Sequence, residues 1–322
     1  MILAGDIGGT KSNLALFERH QGKLIRTAQR RFKSRDYKSF ELIISEFLGP
    51  SGGRPEAAAF GAAGPVVNNQ VRVTNLPWTL DGAALAEILG LALVPLYNDL
   101  EATGYGIAVL ESSDLFLLNR GVPAPKANQV VLAAGTGLGE AVLFWDGEKH
   151  LVSATEGGHC DYSPRNEEEI ELFRFLKKRS TGPVYLEQIL SGGGFRALHE
   201  FLEPGLKHPS FDDPAADPAK EITANAAAGK CPACVRALHL WVATYGSEAG
   251  NLALKTLARG GVYIGGGIAP KIIERLQDGT FLEAFCDKAK FRAILSQIPI
   301  YVILNDDCAL LGAASRAAAE QS

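Results

Sequence analysis

Two stretches of this chain repeat one pattern: Leu3-Ala-Gly-Asp-Ile-Gly-Gly-Thr-Lys-Ser-Asn-Leu-Ala-Leu-Phe17 and Leu132-Ala-Ala-Gly-Thr-Gly-Leu-Gly-Glu-Ala-Val-Leu-Phe-Trp145. In each, an apolar strand runs into a Gly/Thr turn, and a second apolar strand follows. Glycines let the backbone adopt positive φ and approach a ligand closely, and successive N–H groups in such a turn form a concavity that binds anions. The repetition therefore predicts two related half-domains that face one polyphosphate.

The repeated turn differs from two widespread phosphate loops. Neither copy contains the G-x-x-x-x-G-K-[ST] sequence of a Walker A loop. A dinucleotide-binding turn opens into a helix, whereas a strand follows each of these turns. The alternative for a single copy is an ordinary β-hairpin with a Gly-rich turn. The duplicated, threonine-containing form favours phosphate binding.

Composition and charge describe a soluble globular protein. The 322 residues suffice for two domains, and 47% are hydrophobic and 21% charged. A net charge of -4, from 32 Lys+Arg and 36 Asp+Glu, gives no general attraction to nucleic acid or to an anionic membrane. Strand residues follow Met1 at once, no apolar run is long enough to span a bilayer, and five cysteines suit reduced thiols. We therefore expect a cytoplasmic protein with neither nucleic-acid nor membrane partners.

The order of strand and helix patterns restarts near Leu115. In the second half, three strands, at 115–118, 129–134 and 140–145, are expected to lead into a loop at 153–165. A series of helices follows, one of them at 183–190. A last strand is expected at 301–304. Because the strands are joined by connections of helical length, this order implies mixed sheets covered by helices.

The two halves are expected to form separate domains. No long linker divides them, and the last helix, predicted at 308–319, is expected to return to the first half. We therefore predict a small α/β domain formed by residues 1–109 with about 300–322, and a large α/β domain formed by residues 110–299.

Seven motifs in a fixed order make the chain resemble the bacterial glucokinases of the hexokinase and actin-like ATPase superfamily. The motifs are Gly5-Asp-Ile-Gly-Gly-Thr10, Thr74-Asn-Leu-Pro-Trp78, Asn98-Asp99, Gly135-Thr-Gly-Leu-Gly139, Glu156-Gly-Gly-His159, Leu186-Glu-Gln-Ile-Leu-Ser-Gly192 and Gly265-Gly-Gly-Ile-Ala-Pro270. The resemblance covers nearly the full length. It implies an α/β fold of the actin-like ATPase (ribonuclease H-like) class, with two domains of mixed sheets flanked by helices and an interdomain cleft.

A related group, the ROK-type sugar kinases, shares several of these motifs. Its members carry a zinc-binding cysteine cluster just after the E-G-G-H motif. Here that stretch is Cys160-Asp-Tyr-Ser-Pro-Arg-Asn166, which contains no such cluster. The non-ROK glucokinases are therefore the better match.

Asp99 is the candidate general base. It follows an apolar strand, so it is expected at a carboxyl end of the sheet, where α/β proteins bind their ligands. A positioned carboxylate can accept the proton of a hydroxyl that attacks phosphorus. The resemblance implies that this hydroxyl is O6 of a sugar. The alternative is that Asn98 or Asp99 only caps the helix that begins at Leu100.

Four side chains are candidates for binding the sugar: Asn98, Glu156, His159 and Glu187. Carboxylates, amides and imidazoles match the directional donors and acceptors of a pyranose ring, and Asp99 would contact the same sugar. For Glu156 and His159 the alternatives are a polar turn or a metal site, and the second lacks a completing ligand cluster. The assignment of Glu187 depends wholly on the resemblance.

The resemblance implies that ATP binds to three glycine-containing segments. Gly5, Asp6, Ile7, Gly8, Gly9 and Thr10 form the first, Gly135, Thr136 and Gly137 the second, and Gly265, Gly266 and Gly267 an adenosine loop. Asp6 would hold Mg²⁺, generally through water, since Mg²⁺ prefers oxygen ligands and keeps several waters. For the last segment the alternative is a generic strand-to-helix turn.

One C-x-x-C motif, Cys231-Pro-Ala-Cys234, is interpreted as structural. A single pair without a second cysteine pair is poor evidence for zinc, and no thioredoxin-like context surrounds it. We expect buried or half-buried thiols at the start of a long helix.

The function that these motifs imply is the ATP-dependent phosphorylation of D-glucose at O6, the first step of glycolysis, with Mg²⁺ as cofactor. The alternatives are a kinase for another hexose and a non-catalytic sugar sensor on the same fold. A homodimer is the family's usual state.

Overall fold

Two units make up the chain, Met1–Asp114 with Asn305–Ser322 and Leu115–Leu304. The structure is a computed structural model that describes residues 1–49, 53–213 and 216–320. The last two residues of the predicted small domain, 321 and 322, thus lie outside the described part.

The first unit is built on a mixed sheet. Its strands are β1 (Ile2–Ile7), β2 (Lys11–His20), β3 (Lys23–Lys33), β4 (Ala57–Ala62), β5 (Val66–Val67), β6 (Gln70–Arg72), β7 (Thr79–Asp81) and β8 (Leu96–Asn98). The helices in residues 1–114 are α1 (Phe40–Leu48), α2 (Gly82–Leu89) and α3 (Asp99–Ile107). The main sheet has the order β3-β2-β1-β4-β8, and β5, β6 and β7 form a small separate sheet. Apolar β1 and β4 lie in its centre, and the charged β3 lies at its edge, where polar residues discourage further strand pairing.

Parallel pairing aligns the ends of three strands in this sheet. β1 pairs antiparallel with β2 but parallel with β4, and β4 pairs parallel with β8. Ile7 lies opposite Ala62, and Ala62 lies opposite Asn98. The residues that follow β1, β4 and β8 therefore emerge at one edge of the sheet.

The second unit repeats this arrangement. Its strands are β9 (Leu115–Asn119), β10 (Gln129–Ala134), β11 (Leu138–Trp145), β12 (His150–Thr155), β13 (Gly261–Gly265) and β14 (Ile300–Ile303), and its helices are α4 (Glu167–Arg179), α5 (Gly192–Leu202), α6 (Pro218–Ala227), α7 (Pro232–Thr256), α8 (Ile273–Leu276), α9 (Thr280–Cys286) and α10 (Arg292–Leu295). The sheet order is β12-β11-β10-β13-β14-β9. As in the first unit, an antiparallel hairpin (β10–β11) is followed by parallel partners (β13, then β14). The predicted duplication is thus present in the sheet topology.

Two predicted elements of the second half differ from the structure. Part of the expected loop at 153–165 belongs to β12, which pairs with β11 and alternates between more and less exposed positions. The expected helix at 183–190 is only a short 3-10 helix, Leu186–Gln188, because the residues before it are extended and Tyr185 bridges to Asp161. Both predictions were wrong for the same reason: pairing with residues distant in the sequence determines the backbone conformation of these segments.

The last strand and the last helix belong to different units. β14, which was predicted with the small domain, hydrogen-bonds to β13 and β9 in the second unit. The chain then returns to the first unit as α11 (Cys308–Ala319). Of the helices in the described ranges, none combines the length and the apolar composition that crossing a bilayer requires.

Helices α3 and α11 approach each other through glycines. A Cβ atom added at Gly312 would lie 1.8 Å from the carbonyl oxygen of Ala102, and one added at Gly106 would lie 2.0 Å from that of Cys308. The apolar face of α11, including Leu310 and Ala314, packs in the same cluster as β1 and β4. Close backbone contact therefore fixes α3 on the sheet.

We expect the Gly312→Ala substitution to destabilise the protein by about 1–3 kcal/mol, because the added methyl group must push the two helices apart. The matched control is Ser315→Ala on the same helix, at a partly exposed position, which should change the stability by no more than about 0.5 kcal/mol. Thermal unfolding followed by circular dichroism compares the two. Equal midpoints for both variants would show that the helices have room for the methyl group.

Candidate active site

The first Gly/Thr turn connects β1 to β2 and is held by backbone contacts. The Gly8 N–H donates to the Lys11 carbonyl at 2.9 Å, and the Ser34 hydroxyl donates to the Gly8 carbonyl at 2.8 Å. A Cβ atom at Gly9 would lie 2.7 Å from the Thr74 carbonyl oxygen. Only glycine fits at this position, so the turn from Gly8 to the exposed Thr10 keeps a fixed, open backbone.

Gly5 and Ile7, which were predicted with the nucleotide-binding set, are buried inside β1. A Cβ atom at Gly5 would lie 2.8 Å from the Phe60 ring. Ile7 is 0% exposed and belongs to the apolar cluster on that side of the sheet. The side-chain space at both positions is therefore taken up by core packing beneath the turn.

Asp6 lies among other carboxylates at the end of β1. Burial and the charges of Asp99 and Asp307 raise the pKa of Asp6 to about 7, and the Arg31 guanidinium acts in the opposite direction. A carboxylate in such surroundings stays charged at neutral pH only when a further cation is near. The site thus has the surplus of negative charge that a hard divalent cation would balance.

Asp307, which precedes α11, is already paired with two arginine side chains. It accepts hydrogen bonds from Asn13 at 2.9 Å and Gln29 at 3.0 Å, and it forms ion pairs with Arg26 at 2.5 Å and Arg31 at 3.1 Å. Although burial acts to raise it, the hydrogen bonds from Arg26 and Arg31 hold the pKa of Asp307 below its ordinary range. Asp307 therefore stays ionised and fixes this side of the site.

The two residues at the end of β8 have different roles at the start of α3. Asn98 is the N-cap: its Oδ1 accepts from the N–H groups of Leu100 at 2.9 Å and Glu101 at 3.4 Å. Its Nδ2 donates to the Gly64 carbonyl at 3.0 Å. Asp99 is the first helical residue, and its Oδ1 accepts from the Leu100 N–H at 3.0 Å. The capping role that was an alternative for Asp99 thus falls to Asn98.

The second Gly/Thr turn connects β10 to β11 in the other unit. The Gly135 N–H donates to the Gly137 carbonyl at 2.8 Å, and Gly192, the first residue of α5, donates its N–H to the Gly135 carbonyl at 2.8 Å. Thr136 lies between the two glycines. The N-terminus of α5 therefore begins beside this turn, and helix N-termini favour anions.

Glu187 contacts the second turn directly. Its Oε2 accepts a hydrogen bond from the Leu138 N–H at 2.9 Å, and a Cβ atom at Gly137 would lie 2.3 Å from the same oxygen. A larger residue at Gly137 would displace the carboxylate. One oxygen of Glu187 is therefore committed to the turn.

Backbone pairing brings Glu156 and His159 close to Glu187. The Leu186 N–H donates to the Cys160 carbonyl at 3.1 Å, and the His159 ring stacks on Tyr185 with centroids 5.0 Å apart. The side chains of Glu156 and His159 are exposed. The second unit thus gathers three of the four predicted sugar-binding residues, and the fourth, Asn98, lies in the first unit.

Gly265, Gly266 and Gly267 lie beside the second turn. Gly265 ends β13 opposite Ala133 of β10. Gly266 has a φ of 82°, and a Cβ atom there would lie 2.3 Å from the Ala134 carbonyl oxygen. A Cβ at Gly267 would meet no atom within 4 Å among the described residues. The predicted adenosine loop and the predicted phosphate turn are therefore neighbours on adjacent parallel strands.

Glu140 is a buried acid of β11 that the sequence reasoning did not single out. It is 2% exposed, and within the described ranges its Oε1 has no hydrogen-bond partner. Burial and the nearby Glu248 raise the pKa of Glu140 to about 8. A Cβ atom at Gly157 would lie 2.0 Å from the other carboxylate oxygen, so this neutral acid lies directly beneath the Glu156–His159 segment.

Sequence signals for the two missed acids do exist. Asp307 belongs to Asn305-Asp-Asp307, which follows a strand and precedes a helix just as Asn98-Asp99 does. Glu140 interrupts the apolar second strand of the repeated hairpin. An acid in a central strand is rarely buried without a reason.

The Glucokinase family model matches residues 3–320 of this chain. A curated glucokinase of Nostoc sp. is 39% identical over 338 residues, which cover 99% of each chain, and one of Mesorhizobium japonicum is 36% identical over 98% of this chain and 91% of its own. Among solved structures, a glucokinase from an Antarctic psychrotroph has a TM-score of 0.86 at 29% identity and covers 99% of this chain and 98% of its own. A ROK family glucokinase from Streptomyces griseus, in complex with glucose and AMPPNP, has a TM-score of 0.67 at 19% identity, covers 100% and 99% of the two chains, and shows likeness of fold alone.

We expect Glu140 to make stability depend on pH. The folded protein holds this proton up to about pH 8, whereas the unfolded chain releases it near the ordinary value of 4.5. The contribution is thus fully present below about pH 4.5 and declines as the pH rises toward 8. The Glu140→Gln protein should lose less thermal stability between about pH 6 and about pH 9 than the wild type.

The control for this experiment is Glu148→Gln, at an exposed position, which should keep the wild-type dependence. Melting temperatures are measured across the pH range in buffers of equal ionic strength. Parallel curves for wild type and Glu140→Gln would mean that another group carries the dependence.

Proposed function

The chain belongs to the glucokinase family, and from this we propose how its residues carry out the ATP-dependent phosphorylation of D-glucose at O6, which gives glucose 6-phosphate and ADP. The observation that carries the assignment of roles is the end of β8. There Asn98 caps α3, while Asp99 lies near enough to Asp6 for their charges to interact. Because Asn98 is the residue that caps α3, we assign the chemistry of this position to Asp99.

In this proposal Asp99 is the general base. As the bond from O6 to the γ-phosphorus forms and the bond from that phosphorus to the β,γ-bridging oxygen breaks, the O6 proton passes to the Asp99 carboxylate, and ADP leaves. The position of Asp99 directly after β8, at the carboxyl end of a parallel strand where α/β proteins bind their ligands, supports this role. The glycine contacts between α3 and α11 hold that first turn in place.

Asp6 fits a site for Mg²⁺. It offers a hard oxygen donor, and its raised pKa, caused by burial and by Asp99 and Asp307, marks a place where a cation lowers the energy. When bound, Mg²⁺ neutralises charge on the β- and γ-phosphates of ATP. Asp6 would hold it through water, while Asp307 stays occupied with Arg26 and Arg31.

The three glycine segments would receive ATP. Gly8, Gly9 and Thr10 in the first unit and Gly135, Thr136 and Gly137 in the second would line the phosphates. The N–H groups of Gly9, Thr10, Thr136 and Gly137 would donate to them, whereas those of Gly8 and Gly135 donate to carbonyls within the turns. Support comes from the fixed turn geometry and from the start of α5 beside Gly135. Gly265, Gly266 and Gly267 would leave room for the adenosine, and the open space around Gly267 fits this use.

Glucose would be bound by Asn98 and Asp99 from one unit and by Glu156, His159 and Glu187 from the other. Glu187 is notable because its Oε2 is taken by the Leu138 N–H, which leaves Oε1 for a sugar hydroxyl. The same carboxylate would then serve the sugar and the phosphate turn. Since such directional groups remain unpaired with an analogue that lacks the hydroxyl, the set would discriminate among sugars.

The cellular setting is proposed on family grounds. We infer a cytoplasmic enzyme of glycolysis that works as a homodimer. Light scattering coupled to size-exclusion chromatography measures the oligomeric state. A coupled assay with MgATP and a panel of hexoses measures the substrate preference, and faster turnover of another hexose than of glucose would change the substrate but not the roles of the residues.

For Asp99→Asn and Asp99→Ala we expect kcat to fall about 10²- to 10⁴-fold, because no group remains to accept the O6 proton. Glucose affinity, measured by calorimetry without nucleotide, should change only modestly. The control is Glu101→Gln, the next carboxylate on α3, which should keep its kcat. Nearly unchanged turnover in the Asp99 variants would exclude it as the base.

For Asp6→Asn we expect the Mg²⁺ concentration at half-maximal activity to rise about 10- to 100-fold, as for groups that hold a metal through its outer shell. The control is Asp306→Asn, an exposed neighbour of Asp307. Initial rates are titrated with Mg²⁺ at fixed ATP. An unshifted titration in Asp6→Asn would remove Asp6 from the metal site.

A further inference from the structure

Four side chains with metal-binding atoms meet in the second unit, and none of them has a role in the proposed catalysis. They are His199 on α5, His208 just before the short 3-10 helix Pro209–Phe211, and Cys231 and Cys234 at the start of α7. One ligand atom from each lies within 4.8 Å of all the others. His199, Cys231 and Cys234 are buried, and His208 is partly buried.

Two of the distances among these atoms are close to those of a tetrahedral zinc site. His208 Nε2 lies 3.2 Å from His199 Nε2 and 3.2 Å from Cys234 Sγ. Zinc binds histidine nitrogen at about 2.0–2.1 Å and cysteine sulfur at about 2.3 Å, so a regular tetrahedron separates its ligand atoms by about 3.3–3.8 Å. These two separations are close to that range, and the wider ones, which extend up to 4.8 Å, would shorten by about 1 Å when the ion binds.

The two cysteines lie one helical turn apart at the start of α7. Cys231 is the N-cap residue of α7, and its Sγ accepts a hydrogen bond from the Cys234 N–H at 3.4 Å. Pro232 occupies the first turn of this 25-residue helix. Helix geometry thus presents both sulfurs of the C-x-x-C motif from one turn.

His208 also has a partner for its second ring nitrogen. Asn225 Nδ2 lies 3.5 Å from His208 Nδ1. When Nε2 faces a metal, Nδ1 carries the proton, and rotation of the Asn225 amide by half a turn brings its oxygen into place as the acceptor. Such outer partners fix the tautomer of a ligating histidine.

We propose that His199, His208, Cys231 and Cys234 bind one Zn²⁺ ion in a closed, structural Cys₂His₂ site. Two thiolates and two imidazoles in a tetrahedron are the set that selects zinc. All four positions are filled by protein, which leaves none for a substrate or an activated water. The histidines supply the second pair that the C-x-x-C motif lacks in the sequence, with the spacing H-x₈-H-x₂₂-C-x₂-C.

The ion would join three segments of the second unit. It links α5 to α7 and fixes the His208 segment onto both. Helix α5 begins at Gly192, at the opposite end from His199. The Gly192 N–H donates to the Gly135 carbonyl in the second Gly/Thr turn. Loss of zinc is therefore expected to lower the thermal stability of this unit, independently of any role in catalysis.

The test is the metal content of the full-length protein, produced without a histidine tag in zinc-supplemented medium and purified under reducing conditions without chelator. Mass spectrometry of the metals should find about one zinc per chain, and X-ray absorption should find two sulfurs at about 2.3 Å and two nitrogens at about 2.0–2.1 Å. Cys234→Ser and His208→Asn should lose the zinc. The matched controls Cys160→Ser and His239→Gln, both at exposed positions, should retain it.

Several results would overturn the proposal. One is wild-type protein that lacks zinc and does not bind added Zn²⁺ or Co²⁺ when reduced. Others are zinc that persists in Cys234→Ser, or a Cys231–Cys234 disulfide in protein prepared with reductant. If the variants do not fold, the X-ray absorption and the Co²⁺ spectrum of wild type decide alone, since a shell without two sulfurs excludes this site.

Discussion

Parallel pairing between neighbouring strands is the constraint on which the candidate site depends. In the first unit it aligns the ends of β1, β4 and β8, so that Asp6 and Asp99 belong to one edge of the sheet although 93 positions separate them in the numbering (99 minus 6). In the second unit it aligns β10 with β13, which places the Gly135 turn beside Gly266. Glycine is required where the turns at these edges pass close to other backbone segments. At Gly9 and Gly266 a Cβ atom would collide with a neighbouring carbonyl oxygen. Topology thus sets the positions, and the glycines make them attainable.

Charge is handled differently in the two units. At the first edge, Arg26 and Arg31 fully engage Asp307, and the remaining negative charge falls on Asp6 and its neighbour Asp99. Such a site gains from binding a cation. In the second unit, Glu140 is buried with Glu248 nearby, and its raised pKa keeps it neutral. A neutral acid can lie against the Gly157 backbone without attracting ions. Asp6 thus favours a cation in its surroundings, whereas Glu140 does not.

Local sequence predicted the elements that local contacts determine. The repeated hairpin, the Asn98-Asp99 motif at the start of α3 and the long helix after Cys231 all follow from patterns within a few residues. Contacts between distant residues were less accessible. Nothing near β12 indicates that β11 will pair with it, and His199 and His208 join Cys231 only because α5 and α7 pack together. The chain has 6 histidines and 5 cysteines, and four of these eleven residues lie between positions 199 and 234. Identifying Asn98 as the cap of α3 needed the structure, because both Asn98 and Asp99 can cap a helix.

The return of α11 to the first unit bears on how the protein is made. Residues 115–304 are synthesised as one continuous piece, so the second unit has all of its strands before Asn305 leaves the ribosome. The first unit begins earlier but is completed last, because α11 covers β1 and β4 and contacts α3 through Gly106 and Gly312. During translation its apolar sheet face remains uncovered, a state in which chaperones commonly bind nascent chains. An mRNA truncated before codon 305 would yield a chain that lacks Asp307 and lacks α11, the helix that packs against α3. Incomplete translation products would therefore lack the contacts that hold the helix of the proposed general base.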